Sequence, residues 1–387
     1  MSPRTFLITA VEPSADELGA GLMAALRGRL GEEVRFVGVG GPAMAVQGFD
    51  SLFDPSDIAV LGAWEGIAAY GRVRNRVRRV VALARSERPQ AAVLIDAWGF
   101  SQRLAAGLRR LSPRPVIIKY VAPQVWASRP GRARVLARRV DRLLAVNPFD
   151  APYFERAGLA TTFVGNQAAF ADFSDADPQI CRRAIGARPE EPILLVLPGS
   201  RSSEVARLIG PFGQAARLLA RSRPRLHVVV APAPALAGEI RARLTEFGSG
   251  AKLIEDGSER RSAMRAATVA LACSGTVTSQ LAAAGTPFVV GYRLGFLTHQ
   301  AAKILVRTPY VTLINVVAGR FVAPELIQNA CTGPALENEL ALRLDDPELR
   351  RRQIAAQSEA LEQLRGGISD PAQAAADAVI AMVQARA

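Results

Sequence analysis

The chain has 387 residues, of which 49% are hydrophobic and 21% are charged, and its formal net charge is +13 at pH 7. Because a single hydrophobic core stops growing below this length, we expect two domains, and the apolar content excludes a largely disordered chain. No apolar run approaches the roughly 20 residues that span a bilayer. The N-terminal apolar stretch ends at Glu12 without a signal-peptide pattern, so we expect a globular cytoplasmic protein.

The positive charge lies almost entirely on arginine, since only Lys119, Lys252 and Lys303 are lysines among the 48 basic residues. Codon usage in a GC-rich genome produces such a bias unaided, so the total charge alone indicates no partner. In residues 72–79, however, arginines and valines recur at helical spacing, which predicts an amphipathic helix with an arginine face. A second arginine cluster lies at 129–142. Two interpretations stay open, a solvated surface and a contact with phosphate groups or an anionic membrane.

Short apolar runs alternate with helical stretches along the chain, a pattern typical of parallel sheets with helices on both faces. In the first half we predict strands at 6–11, 34–39, 91–95, 116–121, 143–146 and 162–164. After a polar stretch at 174–178, a second series follows at 193–197, 227–231, 252–254, 269–272 and 287–291. Asp370 and Pro371 form an N-cap and first-turn pair before a terminal helix at 372–384.

These elements predict an α/β protein with two Rossmann-like domains that face a cleft. We place the domains at 1–170 and 171–365, and we assign 366–387 to a C-terminal helix that is free to pack back on the first domain. In open parallel sheets, ligands bind beyond the carboxyl ends of the strands. The loops directly after the strands are therefore where functional residues are expected.

The clearest local signal is a glycine turn after the strand predicted at 193–197. Gly199, Ser200 and Arg201 lead from this strand into a helical stretch, so free backbone N–H groups and a positive dipole end face outward. An arginine at that end of a helix is unfavourable by itself, but it is well suited to bind an anion. We interpret the turn as a pyrophosphate site; the alternative is a plain strand-to-helix turn.

A second loop of small residues follows the strand predicted at 269–272. It consists of Ser274, Gly275 and Thr276, which let a ligand approach the backbone closely. This loop is weak evidence alone, but with the first it predicts a nucleotide site in the second domain. The chain has no Walker pattern, which argues against a P-loop NTPase.

Acidic side chains stand at two strand ends of the first half. Asp96 directly follows the strand predicted at 91–95, where a carboxylate can remove a proton from an acceptor hydroxyl. An N-cap or a buried ion pair is an equally frequent role for such a residue. Glu12, Ser14 and Asp16, in the first strand-to-helix loop, are the other candidates.

The remaining reactive residue types do not form a site. His227 lies inside a predicted strand and His299 in a helical stretch without a visible partner. The three cysteines are widely separated and lack metal-ligand spacing, so we expect reduced thiols (Cys181, Cys273 and Cys331). We expect no metal, no cofactor and no Ser-His-Asp chemistry.

Taken in order, these residues resemble the lipid-A-disaccharide synthase family over nearly the whole chain. Each matching segment is short, and their ordered set is specific. The segments are EPSADELGA at 12–20, GVGGPAM at 38–44, IAVLG at 58–62, residues 95–97, APQVWA at 122–127, LPGSR at 197–201, residues 274–276, GYR at 291–293, Asn315, AGR at 318–320 and PELIQ at 324–328.

The resemblance implies a GT-B fold and an inverting hexosyltransferase. In this family a 2,3-diacylglucosaminyl group passes from its UDP donor to the 6-hydroxyl of 2,3-diacylglucosamine 1-phosphate. The products are the β-1,6-linked disaccharide of lipid A and UDP. The first domain would then bind the acceptor and lipid, and the second the UDP-sugar. The resemblance also implies a peripheral location on the anionic inner face of the inner membrane, and it leaves open a homodimer.

Carried over position by position, Asp96 matches the acidic residue proposed as general base, and Arg201 matches the essential arginine of the phosphate turn. Arg293 and Asn315 match further positions expected to bind substrate or nucleotide. Gln280 stands where the family has a glutamate of the kind that holds ribose hydroxyls in this fold.

Other positions also depart from the family pattern. Val11 and Ala15 replace two glycines of the first loop, Asn166 replaces a histidine, and Gly99 replaces the second acid after Asp96. Three alternatives therefore stay open. They are another GT-B transferase or UDP-sugar 2-epimerase, a non-catalytic lipid-binding relative, and a nucleic-acid-binding protein. The last lacks interleaved aromatic residues and a binding motif, so we expect no nucleic-acid partner.

Overall fold

Two six-stranded parallel sheets organise the part of the chain that this computed structural model describes, residues 4–31, 33–55, 66–295 and 308–386. Each sheet belongs to one of two units. The first unit comprises Met1–Gln167 together with Gly366–Ala387, and the second comprises Ala168–Arg365. The chain therefore leaves the first unit for the second and returns to the first at its end.

The first unit alternates strands and helices. Its strands are β1 (Arg4–Thr9), β2 (Val34–Val39), β3 (Ala91–Ile95), β4 (Val116–Tyr120), β5 (Arg142–Ala145) and β6 (Thr161–Phe163). Its helices before the crossing are α1 (Pro13–Leu30), α2 (Pro42–Val46), α3 (Gly66–Glu87), α4 (Trp98–Leu108), α5 (Gly131–Ala137) and α6 (Ala151–Glu155). All strand pairs are parallel, in the order β2-β1-β3-β4-β5-β6.

Both faces of the first sheet are buried, because successive side chains of each strand point to opposite faces and nearly all are apolar. Ile8 and Val93 pack in a core with residues of α1 and of the C-terminal helix. Leu7 and Leu94 pack in a second core with residues of α3 and α4. The sheet is thus the middle layer of three.

The second unit repeats this plan. Its strands are β7 (Ile193–Leu197), β8 (His227–Val230), β9 (Lys252–Leu253), β10 (Val269–Ala272), β11 (Phe288–Tyr292) and β12 (Glu325–Ile327). Its helices are α7 (Pro178–Ile185), α8 (Ser202–Ser222), α9 (Ala237–Ala242), α10 (Gly257–Ala266), α11 (Thr276–Ala283), α12 (Leu313–Ala318), α13 (Gly333–Asp345) and α14 (Pro347–Arg365). The parallel strand order is β12-β11-β10-β7-β8-β9.

The second sheet is also covered on both faces. Leu194 and Val196 pack in one core with residues of α8 and α13. The alternate residues, such as Leu195 and Ala270, are equally buried and face the other way, where α10 and α11 contact β7 and β10. Each unit is therefore a Rossmann-like domain.

The last helix, α15 (Pro371–Gln384), packs on α1 and so belongs to the first unit. Asp370 is its N-cap, and the carboxylate accepts hydrogen bonds from Ala372 N (2.8 Å) and Gln373 N (3.1 Å). The predicted cap and terminal helix are confirmed. An exposed ion pair between Arg29 and Asp377 (2.7 Å) adds a second link between the two helices.

The predicted strands are confirmed, with ends that shift by at most two residues, but elements among the described residues were missed, including one strand and one helix. β12 was not predicted, and α7 begins at Pro178, inside the stretch that was interpreted only as polar. The predicted amphipathic helix is confirmed within α3, where Val80 is buried and Val73, Val77 and Val81 pack against the core. The segment 58–62 and His299 lie outside the described residues.

The described cysteines are all free and buried. His227 lies in β8, the strand predicted for it, and its Nε2 lies 3.0 Å from Glu191 Oε2. Within the described ranges, no helix is long and apolar enough to span a membrane. Among the same residues, no group of three histidine, cysteine or acidic side chains is arranged to hold a metal ion.

Candidate functional site

The turn between β7 and α8 depends on glycine. Gly199 has φ 128°, a conformation that favours glycine, and a Cβ at this position would lie 2.9 Å from Glu204 Oε2. Ser200 follows, and Arg201 is the N-cap of α8 with extended backbone. The first backbone N–H groups of an α-helix have no carbonyl acceptor within the helix. Those of α8 therefore point out of the helix at the carboxyl edge of the second sheet.

Two side chains of opposite charge flank this helix end. The Arg201 side chain is 70% exposed, whereas that of Glu204 is 11% exposed. Glu204 accepts a hydrogen bond from Ser200 N (3.1 Å), and its other oxygen lies 3.3 Å from Arg201 Nη1. The carboxylate therefore binds a backbone N–H group of the turn. The guanidinium has five donor hydrogens, and most of them face solvent.

The loop after β10 lies beside this turn, because β7 and β10 are adjacent parallel strands whose ends are in register. Ser274 Oγ donates to the carbonyl of Val311 (3.0 Å). Gly275, with φ 149°, is the N-cap of α11, and Thr276 is the first residue of that helix. The structure thus brings together the two loops that the sequence predicted as a nucleotide site.

Two more predicted residues lie near the same edge. Gln280 is half-buried in the second turn of α11. Arg293 follows β11, the other neighbour of β10, and its Nη2 donates to the carbonyl of Cys331 (2.5 Å). This bond fixes the direction of the guanidinium. Contacts of either residue with a nucleotide stay predictions.

Asn315, predicted to bind substrate, is fully buried and bonded within the protein. Its Nδ2 donates to Ala323 O (2.8 Å), and its Oδ1 accepts from Val322 N (2.8 Å) and Ala323 N (3.0 Å). The amide therefore ties α12 to the segment before β12. A role in shaping this segment fits these bonds better than direct contact with a ligand.

Glu325, which was not predicted from the sequence as a site residue, supports the same region. Its carboxylate accepts from Val311 N (2.9 Å), Thr312 N (2.8 Å) and Thr312 Oγ1 (2.7 Å). Because the carbonyl of Val311 in turn accepts from Ser274, Glu325 holds the partner of the serine loop in place. The only signal was its place in the family segment PELIQ.

At the carboxyl edge of the first sheet, β3 ends in a strained turn. Asp96 and Ala97 both have φ 43°, the left-handed conformation that non-glycine residues rarely adopt. Ala97, not Asp96, is the N-cap of α4, and no side chain caps that helix. Among the described residues, no hydrogen bond or salt bridge to the Asp96 carboxylate is found, so the N-cap and buried-ion-pair alternatives are not what this turn shows.

Beneath this turn lies a buried lysine that sequence reasoning passed over. Lys119, in β4, is 2% exposed, and its ammonium donates to the carbonyls of Leu94 (3.2 Å), Asp96 (2.5 Å) and Tyr120 (3.2 Å). Burial lowers the pKa of Lys119 to about 7, although the carboxylates of Asp96 and Glu12 favour its charged form. The available signal was a lysine kept inside an apolar strand of an arginine-rich chain.

The three candidate residues of the first loop lie in different environments. Glu12 is the half-buried N-cap of α1, Ser14 is exposed in the first turn, and Asp16 is 5% exposed. Asp16 accepts three backbone N–H groups, at 2.7, 2.7 and 3.2 Å, from the start of the segment that forms α2 (Gly41, Ala43 and Met44). Asp16 therefore secures the segment GVGGPAM, and Glu12 is the acid of this loop that is close enough to Lys119 to act on its charge.

A buried polar chain follows β5 and β6. Asn166 Nδ2 donates to Asn147 Oδ1 (3.0 Å), and Asn147 Nδ2 donates to Asp150 Oδ2 (3.1 Å). Burial raises the pKa of Asp150 to about 7, despite the opposing hydrogen bonds from Asn147. Asn166, which replaces the family's histidine, is thus part of a buried network that ends at Asp150, the N-cap of α6.

Solved structures of other proteins share this architecture. The S. aureus MnaA-UDP co-structure matches with a TM-score of 0.62 at 13% identity, over 92% of this chain and 93% of that one. UDP-GlcNAc 2-epimerase from Neisseria meningitidis bound to UDP-GlcNAc matches with a TM-score of 0.59 at 12% identity, over 99% of both chains. At these identities the likeness defines the fold alone, two Rossmann-like domains of the GT-B type.

The sequence comparisons give the family. The family model for lipid-A-disaccharide synthetase matches residues 6–379. The lipid-A-disaccharide synthase of Rhodospirillum centenum is 39% identical over 386 residues, which cover 100% of this chain and 96% of that protein. The chain belongs to the lipid-A-disaccharide synthase family and is therefore an enzyme of the hexosyltransferase class.

Proposed function

We propose that the chain transfers a 2,3-diacylglucosaminyl group from UDP to the 6-hydroxyl of 2,3-diacylglucosamine 1-phosphate. The products are the β-1,6-linked disaccharide 1-phosphate and UDP. The observation that carries this proposal is the family match over residues 6–379. In addition, the residues at the family's phosphate and base positions, Arg201 and Asp96, both lie in turns directly after strands of buried parallel sheets.

The second unit binds the UDP donor in this proposal. The first-turn N–H groups of α8 and the exposed Arg201 guanidinium form a cationic end suited to a diphosphate. When the bond between the anomeric carbon and the phosphate oxygen breaks, negative charge grows on UDP. Donors that are already in place stabilise this charge most in the transition state, which raises turnover.

The first unit binds the acceptor. The acceptor oxygen attacks the anomeric carbon from the side opposite UDP, so the configuration inverts from α to β. Its proton passes to the Asp96 carboxylate, and the bonding electrons leave with UDP. General-base assistance of this kind contributes about 10²–10⁴-fold to a rate. Asp96 is half-exposed at the turn, which gives a substrate hydroxyl access to it.

The test is to incubate the purified protein with UDP-2,3-diacylglucosamine and the monosaccharide 1-phosphate. Stoichiometric disaccharide and UDP are expected, and UDP release should require the acceptor. Asp96→Asn should abolish most turnover and should lower it much more than Glu12→Gln does. Epimerised UDP-sugar without disaccharide would identify an epimerase instead, and binding without turnover would identify a non-catalytic relative.

The membrane contact is a second part of the proposal. Both substrates carry acyl chains, so the enzyme must meet them at a bilayer, and the arginine face of α3 is the candidate surface. Arg74, Arg78 and Arg79 are exposed, and Arg76 and Arg79 stack on the ring of Phe53 at 4.6 and 5.4 Å. Arg74 and Arg78 can therefore contact anionic headgroups at the inner face of the inner membrane.

Vesicle sedimentation tests this contact. Binding to vesicles that contain anionic lipid should weaken with salt and fall in the double variant Arg74→Glu/Arg78→Glu. The matched control is Arg221→Glu/Arg225→Glu, which changes the net charge equally at exposed positions of the second unit. Equal binding by the two double variants would contradict the assignment. Light scattering of the same preparation decides between a monomer and a homodimer.

A further inference from the structure

Lys119 is a buried charged residue to which the proposed reaction assigns no role. It lies in β4, a strand flanked by β3 and β5, and it is directly opposite Leu94 in the sheet register. Burial of a charged group is costly unless partners replace its water. Within the described residues, no carboxylate lies within salt-bridge distance of its ammonium. An apolar residue at this position would be buried at a lower cost in free energy. The role of the Lys119 charge is therefore expected in the neighbouring turn.

The ammonium is bonded to that turn. Its three hydrogens match three carbonyl acceptors, and two of these, Leu94 and Asp96, flank the last residue of β3. The carbonyl of Asp96 also accepts from Ser101 Oγ (2.6 Å), and Asp96 N donates to the carbonyl of Tyr120 (3.0 Å). Lys119 therefore helps to hold the strained backbone conformation, which determines the direction in which the Asp96 side chain leaves the backbone.

The same charge acts on the acids of this edge. The carboxylates of Asp96, after β3, and of Glu12, after β1, both attract the ammonium, while burial drives the pKa of Lys119 down to about 7. The proton on Lys119 is thus held by those two acids and by three carbonyls. When this proton is lost, one donor and the positive charge disappear together from beneath the turn.

We propose that Lys119 is a positioning residue for the transfer reaction, whose ammonium holds the turn at Asp96 and Ala97 in its strained conformation and supplies a cation beneath the Asp96 carboxylate. This inference rests on the proposed role of Asp96 as the base. The charged form is the active form. The neutral amine retains at most two donors for three acceptors, and it no longer stabilises the neighbouring carboxylates.

Steady-state kinetics of Lys119→Met, which keeps the length of the side chain but not its charge, test the proposal. We expect kcat to fall by at least about tenfold, with the KM for the UDP donor unchanged, because the donor is assigned to the second unit. Lys252→Met is the matched control, since Lys252 is exposed on β9 and carries the same charge. A wild-type kcat in folded Lys119→Met would overturn the inference.

Two further measurements separate positioning from a general loss of structure. Wild-type kcat should decline on the alkaline side with an apparent pKa at or above about 7, and this limb should be absent in Lys119→Met. If the variant does not fold, the wild-type profile still decides, because a flat alkaline side would contradict the role. In the double variant with Asp96→Asn, loss of Lys119 should lower kcat no further; additive losses would indicate a purely structural residue.

Asp96→Asn alone distinguishes the two levels of the proposal. If this variant turns over normally, Asp96 is not the base and the proposed mechanism fails whatever Lys119 does. If Asp96→Asn is impaired while Lys119→Met has the wild-type kcat and pH profile, only the inference about Lys119 is wrong.

Discussion

Replacing Arg201 with alanine isolates the proposed contact with the leaving diphosphate. Without ligand this side chain contributes little to the fold, because it is 70% exposed and its pair with Glu204, at 3.3 Å, is the kind of surface ion pair worth about 0–1 kcal/mol. A hydrogen bond to a charged group in a closed site contributes about 1.5–3 kcal/mol, and a guanidinium can make two to one diphosphate. Loss of both, about 3–6 kcal/mol, corresponds to a fall of roughly 10²–10⁴ in kcat/KM.

Initial rates of UDP release, with the donor varied at saturating acceptor, measure this loss. Arg201→Lys keeps the charge but not the planar fork, so its kcat/KM should lie between those of wild type and Arg201→Ala. Arg221→Ala, in the exposed last turn of the same helix, is the control for loss of an arginine from α8. The reasoning is refuted if Arg201→Ala unfolds like wild type and keeps kcat/KM within about threefold.

Substitutions of three aspartates should affect three different properties: turnover, stability and the pH dependence of stability. Asp96→Asn should lower kcat by about 10²–10⁴ with the donor KM unchanged, and an equal loss in exposed Asp50→Asn would point to a general charge effect. Asp16→Asn places an amide where the carboxylate accepts three N–H groups, so denaturant unfolding should show a loss of about 1–3 kcal/mol that exposed Glu17→Gln does not. The raised pKa of Asp150 means that the folded state keeps a proton which the unfolded state releases, so wild-type stability should fall as pH rises from about 4 to 7, by at most about 1.4 kcal/mol per unit. Asp150→Asn should remove this slope, and a variant with the wild-type slope would exclude Asp150 as its source.

The fold was predictable wherever strands are buried on both faces. The runs at β3 and β7 are continuous, apolar and bounded by turn residues, so their limits were predicted to the residue. β12 has three half-buried residues and lies at the edge of its sheet, where the alternation of apolar residues is too short to recognise. Its existence is set by pairing with β11, a tertiary contact that local sequence does not encode.

The site was predictable only in its position along the strands. A parallel sheet aligns the ends of neighbouring strands, so the adjacency of the turns at Gly199 and Ser274 follows from the strand assignments. Hydrogen-bond partners do not follow from them. Asp16 and Asn315 have the polarity of binding residues, yet their acceptor atoms are taken up by backbone N–H groups. The local sequence around Glu325 and Lys119 does not reveal which loop each residue holds, because each acts on residues distant in sequence.

The two sheet edges meet opposite electrostatic demands. A leaving diphosphate needs fixed positive charge, which Arg201 and the first turn of α8 supply, while the carboxylate of Glu204 is bonded to a protein N–H. A hydroxyl that loses its proton needs a carboxylate, which Asp96 supplies above the charge of Lys119. Since each charge is anchored in its own sheet, substitutions at one edge should leave the other intact. Defects at the two edges should therefore separate kinetically: loss of Arg201 lowers kcat/KM for the donor, whereas loss of Asp96 lowers kcat with the donor KM unchanged.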